Sequence, residues 1–190
     1  MGIVVAVKKK NRICIASDTM TISGGSRKEA SEHILNPEKI VLWGKSYIGV
    51  ASQPIWILTL RNYIQKQKKK PLLKSREEIF SELIALHSVL KDEYYLNASN
   101  DAGDCFESSG FESLIINSYG IFKTYDLRSV QQFIHFAAIG SGAEYALGAM
   151  HVLYDRLETA EEIAKAAITA SAAFDDSSSL PLISYTVKTQ

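Results

Sequence analysis

Residues 2–18 read GIVVAVKKKNRICIASD, which is two runs of strand-favouring residues separated by the polar Lys9-Lys10-Asn11 turn. Short runs rich in β-branched residues on either side of a polar turn are typical of a β-hairpin. A second pair of such runs lies at 39–43 and 46–51, with Gly44-Lys45 between them. The first quarter of the chain therefore predicts four strands in two hairpins.

Helical patterns and further strands follow. Pro54 suits a first helical turn, and apolar residues then recur at helical spacing to about Gln67. Ser75-Arg76-Glu77-Glu78 is a capping box that opens a long second helix. The remaining predicted elements are strands at 114–117, 121–125 and 133–139, helices at about 142–156 and 160–174, and a last strand at 181–188.

This order of elements predicts an α+β fold. Four strands, two helices, three strands, two helices and a final strand indicate two mainly antiparallel sheets stacked on each other, with a helix pair on each outer face. The 190 residues are enough for one compact domain. We therefore expect residues 1–190 to form a single four-layer αββα sandwich.

Composition argues against several classes of function. The net charge is zero, whereas nucleic-acid partners favour a basic face, and the longest apolar runs are too short to cross a membrane. Cys14 and Cys105 predict no disulfide framework and indicate a reducing, cytoplasmic location. No pair of the four histidines has metal-ligand spacing, so we expect no metal and no cofactor.

Six short motifs occur in a fixed order along essentially the whole chain. They are Val5-Ala6-Val7, residues 13–18, Lys39-Ile40, Gly49-Val50-Ala51-Ser52, Ile139-Gly140-Ser141-Gly142 and Asp176-Ser177-Ser178-Ser179. This series resembles that of proteasome β-subunits and of the peptidase component of the bacterial two-part ATP-dependent protease. The resemblance implies an N-terminal-nucleophile hydrolase of the threonine-peptidase type, which hydrolyses peptide bonds in unfolded proteins.

The resemblance also implies a role for each matching residue. Lys39 keeps the attacking amine unprotonated, and Asp18 holds that lysine in place. The N–H of Gly49 faces the developing oxyanion, although Ser52 stands where the family commonly has a further glycine. Ser141 lies beside the amine. Asp176 and Ser179 match a supporting pair that forms hydrogen bonds around Ser141.

Each of these residues also has a plain structural interpretation that the sequence leaves open. Asp18 suits a turn at the end of a strand, and Lys39 suits the exposed edge of a sheet. Ser141 with Glu144 reads as a helix N-cap and capping box. Residues 175–179 read as a polar loop after the last helix.

The chain departs from the family pattern at Gly2, which the register places at the nucleophile position. Glycine has no hydroxyl with which to attack, and no Thr, Ser or Cys precedes Cys14. One interpretation is a threonine peptidase whose natural start differs from Met1-Gly2. A second is a non-catalytic structural or peptide-binding subunit, and a third, less favoured, is a small-molecule amidase.

Both leading interpretations imply assembly. Relatives form rings or stacked rings of copies that receive unfolded peptide from an ATP-dependent unfoldase. We therefore expect a homo-oligomeric ring, an unfoldase partner, and no nucleic-acid or membrane partner.

Overall fold

The structure is a computed structural model that describes residues 2–23, 27–98 and 105–190. Met1, together with parts of the polar segments 23–37 and 97–110, lies outside the described residues. The strands are β1 (Ile3–Lys9), β2 (Arg12–Asp18), β3 (Thr21–Ser23), β4 (Arg27–Glu29), β5 (Ile40–Trp43), β6 (Ser46–Gly49), β7 (Ser113–Asn117), β8 (Gly120–Thr124), β9 (Val130–Phe133), β10 (Phe136–Gly140) and β11 (Leu182–Lys188). The helices are α1 (Pro54–Lys66), α2 (Arg76–Tyr94), α3 (Ala143–Leu153) and α4 (Ala160–Phe174).

Two large sheets form the centre of the molecule. The first has the strand order β10-β1-β2-β11 and the second has the order β5-β6-β7-β8-β9, with antiparallel pairing throughout. Helices α3 and α4 pack on the outer face of the first sheet, and α1 and α2 pack on the outer face of the second. The predicted αββα sandwich is confirmed.

Burial on both faces explains why β1 reads as a continuous apolar run and not as an alternating one. Ile3, Val5 and Val7 point into the layer beneath α3 and α4. Val4 and Ala6 point into the layer between the two sheets. The opening strand therefore contributes to two cores at once, which places its first residues deep inside the molecule.

The predicted strand 133–139 is the one element that the structure divides. Phe133 is the last residue of β9, which begins earlier than predicted, a bend covers Ile134-His135, and β10 begins at Phe136. β9 is the last strand of the second sheet, whereas β10 pairs with β1 in the first. An unbroken strand cannot belong to both stacked sheets, so the chain must bend where it crosses between them.

The polar connection after β2 also contains more structure than its sequence indicated. β3 pairs with β4 in a small separate hairpin, and a single 3₁₀ turn covers Ser31–His33. In the parts of the chain that the structure describes, no helix has the length and apolar character needed to cross a membrane.

Candidate active site

A buried ion pair lies at the point where β1, β2 and β5 meet. The Nζ of Lys39, just before β5, lies 2.6 Å from the Oδ1 of Asp18, the last residue of β2. The Asp18 side chain is fully buried, and the Lys39 side chain is 10% exposed. The surface interpretation of Lys39 is therefore excluded, and the two residues are partners as the resemblance implied.

Backbone N–H groups also form hydrogen bonds to the Asp18 carboxylate. The N–H of Ile3 donates to Oδ1 at 2.9 Å and the N–H of Met20 donates to Oδ2 at 3.2 Å. The bond from Met20 is the turn contact expected of an aspartate at the end of a strand. Asp18 therefore forms the turn and also holds Lys39, since one carboxylate accepts several hydrogen bonds.

Burial sets the electrostatics of Lys39. It lowers the pKa of the amine below its ordinary value of 10.5, and the negative charge of Asp18 offsets this only in part. Asp175 adds a smaller contribution that also raises the pKa. A lysine in these surroundings exchanges its proton nearer to neutrality than an exposed lysine does.

Gly2 lies against this ion pair. A Cβ built on Gly2 would lie 2.0 Å from Lys39 Nζ and 2.5 Å from Asp18 Oδ1. Both distances are shorter than any non-bonded contact, so the end of the lysine occupies the space of a side chain at position 2. The structure thus brings Gly2, Asp18 and Lys39 together.

Gly49 has a packing reason for being glycine. A Cβ there would lie 2.5 Å from the Val4 Cγ1 and 3.0 Å from the Ile15 Cδ1, so the sheets approach closely at the end of β6. Next to it, the Val50 N–H donates to the Lys39 carbonyl at 3.0 Å. Gly49 therefore lies near the Lys39 backbone, and its oxyanion role stays a prediction.

A second polar cluster lies where α4 ends and α3 begins. The Ser141 Oγ donates to Asp175 Oδ2 at 2.9 Å, and the Ser178 Oγ donates to the same oxygen. A Cβ on Gly142 would lie 3.1 Å from both the Asp175 and the Ser178 oxygens, which shows how closely they pack under the start of α3.

The predicted partners of Ser141 need a correction by one residue. Asp176 instead accepts from the Ser177 hydroxyl at 3.3 Å, and the Ser179 hydroxyl donates to the Leu180 carbonyl at 3.1 Å. α4 ends at Phe174, and Asp175 is its C-cap, with its N–H bonded to the Ser171 carbonyl. This cap turns the Asp175 carboxylate towards α3, whereas Asp176 is exposed.

The capping interpretation of Ser141 does not hold. The N-cap of α3 is Gly142, and no side chain bonds to the free N–H groups there. The complete capping box is the one at Thr159, where α4 begins. The hydroxyl of Ser141 serves the cluster with Asp175.

A cavity of about 390 Å³ opens beside Lys39. Apolar side chains form much of its wall, including Met20, Ile22, Ile34, Ile57 and Leu58. The Glu38–Arg61 ion pair, at 3.7 Å, also lines it. No sequence pattern predicted that α1 lines this cavity, because its position there depends on how the sheets pack.

No metal centre is found among the described residues: within 2–23, 27–98 and 105–190, no group of three or more His, Cys, Asp and Glu side chains could hold an ion.

Solved structures resemble this chain over nearly its whole length. Thiobacillus denitrificans BPH in complex with epoxomicin is 38% identical, with 99% of each chain covered and a TM-score of 0.92. A second structure of Thiobacillus denitrificans BPH is also 38% identical, with 99% of this chain and 98% of that chain covered and a TM-score of 0.91. A scan of family models and a search of curated proteins found no match.

A more distant likeness shows the fold. Eukaryotic HslV from Trypanosoma brucei is 16% identical, with 98% of this chain and 99% of that chain covered and a TM-score of 0.68. The motif series, the αββα sandwich and the 38% identical relative all agree. This chain belongs to the proteasome and HslV family of N-terminal-nucleophile hydrolases.

Proposed function

We propose that this chain is a peptide-binding subunit of a proteasome-like ring whose nucleophile position is occupied by Gly2. The observation that carries the proposal is the place of Gly2 against Lys39 and Asp18. In this fold the attacking side chain belongs beside that lysine, and here the lysine amine itself fills the space. A residue without a hydroxyl cannot form the covalent intermediate of the threonine route.

The retained groups favour binding of an extended peptide. The cavity beside Lys39 has an apolar wall that suits one apolar side chain of the bound segment. The Lys39 amine and nearby backbone N–H groups suit its carbonyl oxygens. These contacts hold a peptide carbonyl near position 2, where no nucleophile attacks it.

A peptidase is the second candidate, because the polar groups around position 2 are present. Asp18 pairs with Lys39, and Ser141 binds Asp175 as part of a cluster with Ser178. The relative with epoxomicin bound is 38% identical. If the mature protein carried Thr or Ser at this position, the same groups would serve its amine and hydroxyl.

Three chains, each produced with residue 2 as its first residue, distinguish the two functions. We expect the wild type to show no hydrolysis of fluorogenic peptides and no covalent adduct, by intact mass, with an inhibitor directed at an adjacent amine and hydroxyl. Gly2→Thr should gain both. Gly2→Ala is the matched control, because it displaces the Lys39 amine in the same way and adds no hydroxyl.

The possible results are distinct. Hydrolysis and an adduct in the wild type would establish the peptidase and reject our proposal. An inert Gly2→Thr variant that folds as the wild type does would show that the missing hydroxyl is not the reason for inactivity. Mass analysis of the protein from its native host shows which residue stands at this position in the mature chain.

Assembly into a homo-oligomeric ring is part of the proposal. Large apolar side chains are exposed on the outer helices, among them Leu58 on α1, Phe80 and Ile84 on α2 and Tyr145 on α3. Native mass spectrometry should show one discrete assembly whose mass is a whole-number multiple of the 21.0 kDa chain. A monomer at micromolar concentration would contradict the ring. A stable complex with an ATP-dependent unfoldase would support the proposed unfoldase partner.

We place the protein in the cytoplasm, in line with its thiols. Cys14 and Cys105 are both free, and Cys105 is exposed. Burial raises the pKa of the Cys14 thiol to about 11, so that this group stays protonated and unreactive.

A further inference from the structure

A further polar network, separate from the two clusters of the candidate site, joins α2 to the segment before β7. The His87 side chain, 12% exposed, lies with its Nδ1 2.9 Å from the Ser109 Oγ and its Nε2 3.4 Å from Glu107 Oε2. Arg128, between β8 and β9, donates to the Glu107 carbonyl at 2.7 Å and to the Ser109 Oγ at 3.0 Å. Ser109 and Arg128 are 4% and 6% exposed.

The partners of His87 favour its neutral form. Nδ1 lies 2.9 Å from the Ser109 hydroxyl, which can donate or accept, and 3.4 Å from the Arg128 Nη1, which only donates. Nε2 faces a carboxylate. The neutral ring with its proton on Nε2 satisfies all three contacts, whereas a second proton on Nδ1 would remove the acceptor that faces Arg128 and place two positive groups side by side.

The segment held by His87 packs against the beginning of α1. Phe111 stacks on Trp56 with ring centroids 4.6 Å apart. Gly110, at φ +76°, passes so close that a Cβ there would lie 3.3 Å from the Trp56 ring. Trp56 is the third residue of α1, and its neighbours Pro54 and Ile57 line the cavity beside Lys39.

We propose that His87 is a pH-sensitive latch: its neutral ring holds residues 107–111 on α2, and its protonation releases that segment from Trp56 at the start of α1. The latch acts on a wall of the cavity without touching the ion pair. It is independent of whether the chain hydrolyses peptides, because it rests on the contacts of His87 alone.

The charges around His87 support this direction. Burial and the Arg128 guanidinium lower the pKa of His87 below its ordinary 6.5, and Lys91 on α2 acts in the same sense. Glu107 opposes them through its hydrogen bond and its charge, while Lys91 also binds Glu107. In addition, the buried Nε of Arg128 has no hydrogen-bond partner among the described residues. The network therefore has no unoccupied hydrogen-bond acceptor within reach of this donor.

The sign of the pH effect follows. A histidine whose pKa is lowered by folding contributes stability that is complete above the unfolded value of 6.5. That stability is lost as the pH falls from there towards the folded value, because the open state binds the extra proton. Within this window one proton is linked to opening, so the open population rises up to about tenfold per pH unit.

Hydrogen exchange measures the latch on the intact protein. The Ser109 N–H, bonded to the Asp126 carbonyl at 2.7 Å, should be protected at pH 7.5. We expect its protection, corrected for intrinsic rates, to fall between pH 7 and pH 5.5 by up to about tenfold per pH unit. Trp56 fluorescence should change over the same range.

His87→Gln and His33→Gln form a matched pair. His33 lies 3.4 Å from Glu32, the distance that separates His87 from Glu107, but its side chain is 79% exposed. We expect His33→Gln to behave as the wild type and His87→Gln to lose the pH dependence. Equal pH dependence in the wild type and His87→Gln would overturn the proposal.

Glu107→Gln tests the same point if His87→Gln does not fold. Removing the carboxylate takes away the interactions that raise the pKa of His87 in the closed state. The loss of protection should therefore still begin near pH 6.5 but continue to lower pH, and be larger in total, than in the wild type. A contact that only supported the structure would lower protection by the same factor at every pH, and that result would also overturn the latch.

Discussion

The two polar clusters of the candidate site differ in burial, and this difference decides how each one works. Asp18 and Lys39 form a charged pair in the interior, with the aspartate fully buried. Ser141, Asp175 and Ser178 form a network of hydroxyls around a carboxylate, with Ser141 exposed. Removing one partner should be severe in the first cluster, since a buried charge would be left alone, and mild in the second, where water replaces the lost contact.

The largest effect is expected for Asp18→Asn. It leaves the Lys39 ammonium buried without its counter-charge, which should lower the free energy of unfolding by about 3 kcal/mol. Lys165→Gln is the matched control, because the Glu161–Lys165 pair has the same 2.6 Å distance but half-exposed side chains. Urea unfolding should show a change below about 0.5 kcal/mol for it, and equal effects in the two variants would remove the contrast between buried and exposed pairs.

A smaller loss is expected for Gly2→Ala. Its Cβ would meet the Lys39 amine at 2.0 Å, so the lysine must move from its place beside Asp18, which should cost about 1–2 kcal/mol. Gly148→Ala on α3 is the control, because a Cβ there meets nothing within 4 Å. That variant should gain about 0.5–1 kcal/mol in thermal unfolding, and a stabilised Gly2→Ala would show that the space at position 2 is free.

The smallest effects belong to the second cluster. Asp175→Ala removes the shared acceptor of Ser141 and Ser178 and should lower stability by about 0.5–1 kcal/mol. Asp176→Ala, at the neighbouring exposed residue, should change it by less than about 0.5 kcal/mol. If chemical denaturation showed the larger loss of stability for Asp176→Ala, the sequence-based assignment of Asp176 and Ser179 would be supported instead.

The sequence predicted most of the architecture because its local signals are strong. The apolar runs of β1 and β2 and the capping box at Thr159 each depend on neighbours within a few residues, and the structure keeps them. The bend at Ile134-His135 was missed, because residues 133–139 have strand character throughout. The residues before the bend and those after it join different sheets. This depends on distant parts of the chain and cannot be predicted from a local pattern.

The candidate site was predictable only in part. Asp18 and Lys39 could be matched by type and order, and their contact follows from β2 and β5 lying in facing sheets. Asp175 and Ser178 were missed because the sequence has two aspartates followed by three serines, and neighbouring residues of the same type look alike. The end of α4 decides which of them faces Ser141.

The sequence by itself determined the order of the main strands and helices, the layered fold and the absence of a side chain at position 2. Tertiary structure alone decided that the Lys39 amine fills that space, that Asp175 binds Ser141, and that His87 holds residues 107–111 against α1. The physical reason is range: backbone propensity and capping act over a few residues, whereas burial and charge depend on which distant segments the folded chain brings into contact.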